Sequence, residues 1–354
     1  MSELGSEGEW FSCPIPGDAD GGRITLAYGE GGRLSRRLIR ERILPRFGND
    51  QLRSLGDAAL LATTGGQLAF STDGYTVTPL FFPGGDIGRL AVFGTVNDLA
   101  VSGAVPRWLS LSLIIEEGLP WSVLDRVLDS IQAAAAAANV DIVTGDTKVV
   151  PRGAADKLFI TTSGIGEVLA PAPPGPAALQ ADDVLIVSGP IGCHGAAILC
   201  AREQFDFDPP PASDCAPLTA PLVKLNAAGL TPRAVRDATR GGVAAVLHEW
   251  AEASRLTCVI EEATIPINAE VRAVCELLGL DPLHLANEGT FVLATRQELV
   301  EPTLNVLQQQ DVSNRAAIIG RVSQRRIAPV AIIRSIGREV ALDEPSGAPL
   351  PRIC

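Results

Sequence analysis

The chain has 354 residues, of which 46% are hydrophobic and 20% charged, and a formal net charge of -12. That composition suits about two domains at roughly 150 residues each and excludes a disordered polymer. The acidic balance disfavours duplex DNA or RNA, whose phosphates need clustered Lys and Arg, but is compatible with a small phosphorylated ligand held by backbone N–H groups and a cation.

Residues 1–22 read as a loose N-terminal extension rich in Gly, Glu, Asp and Pro, without the apolar segment of a secretory signal. No stretch approaches the ~20 apolar residues of a membrane span. The seven cysteines are odd in number and none stands in a C-x-x-C pair, so a reducing cytoplasm is expected rather than a disulfide framework or a zinc site. A first half, 23–170, opens on the Gly-rich turn Tyr28–Arg33 and a predicted helix, Leu34–Phe47. A strand is predicted over Leu68–Thr72, and a helix with small residues at Ala91, Gly94 and Ala100 over Ile87–Ser102. Ser122 and Asp125 have the spacing of a capping box before the helical run Val123 to Ile131. Strands follow at Val140–Thr144 and Leu158–Ser163. The proline-rich segment 171–180 reads as a linker. The second half, 181–342, holds a buried strand, Val184–Ser188, a helix from about His194 and another over Val243–Ala253. Residues 343–354 form a polar tail. The halves read as α+β, without the regular βαβ alternation of a Rossmann fold.

Four acidic positions in the first half, Asp57, Asp73, Asp98 and Asp146, sit where elements meet small residues. Carboxylates so placed can gather around a hard cation such as Mg2+, or serve only as caps and turns. Lys148 follows Asp146 by two residues, so on an extended segment both point to one face, as a phosphoryl clamp or as a surface ion pair. The loop ending in Gly31 and Gly32 precedes a helix and can approach phosphates with its N–H groups, although Gly-rich turns are common. RDATRGG, from Arg236 to Gly242, reads equally as an anion site or as a helix entry with arginines in solvent. Glu288, between Asn287 and Gly289, is a poised base or a turn residue. The last residue is Cys354, with Arg352 near it to favour the thiolate.

These residues carry a resemblance. FSTDGYTVTPLFFPGGDIGRLAVFGTVNDLAVSGA, EEGLP, IVTGDTKVV, SDCAPL, RDATRGGV, CELLGLDPL, ANEG and the closing PRIC together resemble the hydrogenase maturation family HypE, within the aminoimidazole ribonucleotide synthetase-like superfamily. The resemblance implies a two-domain fold of that superfamily: an N-terminal sheet-based ATP-binding and dimerisation domain, a C-terminal α+β domain and a flexible C-terminal tail. It implies ATP and Mg2+ as cofactors, with metal at Asp57, Asp73, Asp98 and Asp146. Nucleotide contacts are implied at Gly31, Gly32, Asp57, Asp73, Asn97, Asp98, Asp146 and Lys148. The implied reaction is ATP-dependent dehydration of a carbamoyl group on Cys354 to a thiocyanate, the source of the cyanide ligand of [NiFe]-hydrogenase. Lys148 is implied as the clamp and Glu288 as the base. The implied partners are the carbamoyltransferase HypF, the HypC–HypD iron scaffold and a second copy of the chain, with no nucleic acid and no membrane. Two other readings compete: a small-molecule phosphotransferase of the same superfamily, for which Cys354 is dispensable, and a non-enzymatic carrier that only presents a thiol.

Overall fold

The computed structural model describes residues 32–47, 53 and 55–345. Gly31, residues 1–30 and the tail segment 346–354 with Cys354 lie outside them. The first half begins with α1 (Gly32–Leu38), which continues through a π-helical turn, Ile39–Ile43, to Leu44–Phe47. There follow β1 (Ala59–Thr63), β2 (Gly66–Tyr75), the short hairpin β3 (Phe81–Phe82) and β4 (Gly85–Asp86), α2 (Ile87–Val101), β5 (Ala104–Glu116), α3 (Trp121–Ala138), β6 (Asp141–Val150) and β7 (Leu158–Val168). The second half contains β8 (Val184–Val187), α4 (Cys193–Glu203), α5 (Thr219–Ala227), β9 (Ala234–Asp237), α6 (Gly242–Ser254), β10 (Thr257–Glu261), α7 (Ala269–Leu278), β11 (Phe291–Thr295), α8 (Val300–Gln308), β12 (Ala317–Ser323), β13 (Val330–Ile333) and β14 (Glu339–Ala341). None of the helices described is long and apolar enough to cross a membrane.

The first sheet has the order β1-β2-β7-β5-β6, antiparallel except for β5 and β6, which α3 connects as a crossover. Helix α2 covers its inner face. Thirteen of the fifteen residues of α2 are buried, because it also touches α3, α5 and β9. A helix apolar on all sides belongs in such a position. Its N-terminus is capped by Asp86, whose carboxylate accepts from Gly88 N at 2.8 Å and Arg89 N at 3.1 Å. The capping box expected at Ser122 and Asp125 does not form: Pro120 holds the cap position of α3, and its rigid φ suffices to start the helix.

Among the described residues, no helix covers the outer face of this sheet. Cross-strand partners Phe70, Ile165 and Trp108 make an apolar row, and Thr72, Ser163, Ser110 and Thr144 make the next. Edge strand β6 is exposed along its length except at Val150. It runs six residues beyond the predicted end at Thr144, so Asp146 and Lys148 lie on a strand beside Ser112 and Ile114.

The second sheet has the order β14-β13-β10-β12-β8-β11-β9. Its interior strands β8 and β11 are buried at every position, as the apolar VLIV and the largely apolar FVLAT require. The proline-rich segment is packed onto the second half: Gly175 N donates to Arg233 O at 2.9 Å, and Leu179 is buried in the second core. The end of the second half and the first residues assigned to the tail are also pinned. His248 Nε2 donates to Leu342 O at 3.0 Å and His284 Nε2 to Asp343 O at 3.1 Å. Arg36 of α1 pairs with Glu344, and Arg33 N donates to Pro345 O at 3.3 Å. Gly32, at φ +72°, packs directly on Pro345, where a side chain would strike the Pro345 carbonyl.

Candidate active site

Period-2 alternation along β2 turns Ser71, Asp73 and Tyr75 toward α2. There Ser71 Oγ donates to Asp98 Oδ2 at 2.6 Å, Asp73 hydrogen-bonds to Asp98, and Tyr75 OH donates to Asp73 Oδ2 at 3.3 Å. Asp57 arrives on the loop before β1, and Asp237 from the end of β9 in the other half. Carboxylate oxygens of Asp57, Asp98 and Asp237 all lie within 4.8 Å of one another. Three hard oxygen donors at that spacing fit a divalent cation such as Mg2+.

Around them opens a cleft of about 890 Å³, lined among others by Asp73, Glu288, Arg36, Arg40, Arg236 and Arg240. Arg236 Nη2 is 3.0 Å from Asp57 and Nη1 is 3.4 Å from Glu249 of α6, so this arginine faces the cleft, not solvent. Burial pushes Asp57 up to about 6, against the pull of Arg236. Burial, and then the charge of Asp57, pushes Asp237 up to about 8. Asp98 is raised well above the carboxylate range by burial and by Asp73 and Asp237. Glu288 is raised likewise by burial and by Asp237 and Asp214. So many buried carboxyls with few cations form a site that bound positive charge would relieve.

The described residues singled out from sequence do not all come together. Asp57, Asp73, Asp98 and Glu288 meet at the cleft. Asp146 and Lys148 do not: they form an ion pair of 2.9 Å on the open face, 59% and 66% exposed. Asn97 is not a cleft residue. It is buried, and its amide is spent on the backbone of the second half, donating to Ala216 O at 3.0 Å and Glu288 O at 3.2 Å and accepting from Leu218 N at 2.8 Å. Gly32 meets Pro345 instead of the cleft. Within one chain the carboxylates that gather are Asp57, Asp73, Asp98 and Asp237, the last from the RDATRGG motif. The five cysteines described are buried free thiols, apart from the cleft.

Two sheets on either side of a shared helix, with a carboxylate cluster between them, define an AIR synthase-related protein. Family models for the N-terminal and C-terminal domains of AIR synthase related protein match residues 55–168 and 180–331. The carbamoyl dehydratase HypE of Escherichia coli K12 is 48% identical over 338 residues, 94% of this chain and 99% of that protein. The HypE–HypF complex crystal structure contains a chain of TM-score 0.82 and 42% identity, covering 86% of this chain and 99% of that one. HypE in complex with ATP aligns with TM-score 0.77 and 45% identity, over 94% of this chain and 100% of that one. The chain belongs to the HypE family.

Proposed function

We propose that the chain is an ATP-dependent carbamoyl dehydratase whose substrate is an S-carbamoyl group on its own Cys354, and whose product is a thiocyanate that supplies cyanide to the iron of [NiFe]-hydrogenase. The observation that carries this reading is the cleft itself. Carboxylates and arginines line it, buried Glu288 faces into it, and Pro345, the last described residue, packs against Gly241 beside cleft residue Arg240. The names of the relatives and the ATP complex of one of them support the same reading.

The amide oxygen of the carbamoyl group is a poor leaving group. Its attack on the γ-phosphorus of ATP forms a C–O–P linkage and releases ADP. Loss of the nitrogen protons and of phosphate then leaves S–C≡N, so the elements of water go to phosphate and a proton. Arg236, Arg240 and the other cleft arginines hold phosphate oxygens. Asp57, Asp98 and Asp237, with Asp73 beside them, would hold Mg2+, which when bound neutralises phosphate charge. Buried Glu288 is a strong proton acceptor once ionised and takes a nitrogen proton.

Lys148 and Asp146 enter through a second copy. The cleft reaches round β1 and β2 onto the open face through Phe70, Thr72 and Gly74. A homodimer covering the apolar row would bring edge strand β6 of one copy toward the cleft of the other, where Lys148 would stabilise the phosphorylated oxygen. The carbamoyl donor would be HypF and the acceptor the HypC–HypD scaffold, in the cytoplasm. The test is intact-protein mass spectrometry after carbamoylation and ATP addition. One water is lost from the last peptide, and none in Cys354→Ala. Full turnover of a diffusible substrate by a chain lacking Cys354 overturns the reading in favour of a small-molecule phosphotransferase.

A further inference from the structure

We propose that Asp214 is a positioning residue that sets the place of Glu288 in the cleft; this rests on Glu288 being the base. Asp214 Oδ1 accepts from Glu288 N at 3.0 Å, and Oδ2 accepts from Gly289 N at 3.0 Å and from Thr290 Oγ1 at 2.9 Å. Three donors in consecutive residues thus converge on one carboxylate. Gly289 lies so close to the Asp214 carbonyl that no side chain fits there, which keeps the two loops in register.

The loop bearing Asp214 is itself fixed. Ser213 N donates to Pro83 O at 2.8 Å, and Ser213 Oγ is bonded to Nδ1 of buried His194 at 2.8 Å. The His194 ring stands edge-on to Phe82 at 5.5 Å. The FPGGD turn at β3 and β4 is thereby explained as a buttress for the Asp214 loop. From the other side, Asn97 donates to the Glu288 carbonyl, and Asn97 precedes Asp98 on α2. The peptide N–H and C=O of Glu288 are therefore both held, one by Asp214 and one by the helix that carries a cluster carboxylate. This fixes the separation of base and carboxylates. Displacement of a reacting group by about 1 Å is enough to cost on the order of 100-fold in rate.

A carboxylate is needed at 214 because it only accepts, whereas Asn would present its NH2 to backbone N–H groups. Asp214→Asn keeps the volume and breaks part of the clamp. In the full-length carbamoylated protein, single-turnover dehydration by Asp214→Asn should slow at least about 10-fold, with the ATP dissociation constant changed less than about twofold. In a Glu288→Gln background the same change should have no further effect, which a merely structural role would not produce. Where Asp214→Asn does not fold, Thr290→Val removes one donor from the same carboxylate and should show the same non-additivity. Equal slowing in both backgrounds, or an Asp214→Asn enzyme at full rate beside a slow Glu288→Gln enzyme, overturns this inference alone. A Glu288→Gln enzyme at full rate overturns the base assignment and this inference with it.

Discussion

The guanidinium of Arg236 lies 3.0 Å from the carboxylate of Asp57 and joins the second half of the chain to the first. Both side chains are largely buried, and Glu249 shares the cation at 3.4 Å. Removing one partner of such a pair leaves buried charge without compensation, at a cost of about 3 kcal/mol. Arg236→Ala should lower unfolding stability by that order in urea titrations. Arg236→Lys, which keeps the charge but not the two-pronged geometry, should fall between.

The carboxylate cluster predicts an order of metal dependence. On the proposed reading, Asp57→Asn and Asp237→Asn each replace a charged carboxylate ligand with a neutral amide, so ATP binding should need at least about 10-fold more Mg2+. Asp73→Asn should shift it less, since Asp73 bonds to Asp98 from beside the three. Calorimetric titrations of ATP at graded Mg2+ give the comparison, and a larger effect at Asp73 than at Asp237 would reverse the assignment.

His248 predicts an acid-sensitive tail anchor. Burial holds its pKa down at about 4, despite the hydrogen bond to Leu342 O and with small help from Arg36 and His284. An unfolded histidine titrates near ~6.5. The folded value is depressed, so the stabilising effect of the neutral ring is present above ~6.5 and is lost as pH falls toward 4, by up to about 3 kcal/mol. The difference in stability between the parent chain and His248→Gln should therefore shrink or reverse between pH 7 and pH 5 in thermal unfolding. A comparison of the two chains separates His248 from the cleft carboxyls, whose raised values act in the opposite direction.

The exposed edge strand predicts complementation between defective subunits. Lys148→Ala and Glu288→Gln chains should each be nearly inactive alone. In a random mixture, half the dimers are mixed, and one site in each combines intact Glu288 with intact Lys148. Dehydration should return to about a quarter of the parent rate. No recovery would place Lys148 in the cleft of its own chain.

Much of this organisation can be read in the chain, and the misses have local causes. The small residues Ala91, Gly94 and Ala100 announce a closely packed helix, and in the structure it is buried nearly all round. Strand β6 is underestimated because Gly145 and Asp146 are poor strand formers, and pairing with β5 overrides that preference. Asn97 reads as a ligand because it neighbours Asp98, but adjacent helical residues point about 100° apart, so only Asp98 reaches the cleft. Asp237 stands between Arg236 and Arg240, whose charges point to an anion site. Its alternation with Arg236 at the end of a strand was the available signal. The spacing of Asp146 and Lys148 puts both on one face of a strand but does not encode what that face meets.

The seating of Pro345 between Gly32 and Gly241 has a kinetic meaning. Nine residues remain beyond it, and a polypeptide of that length extends no more than ~30 Å. A Cys354 thiol held on a leash of that length would, on the proposed reading, be present at on the order of ten millimolar, whatever the protein concentration. On the proposed reading, the reaction is unimolecular in enzyme: dilution should leave turnover per dimer unchanged until the dimer itself dissociates, and lengthening the leash should slow it.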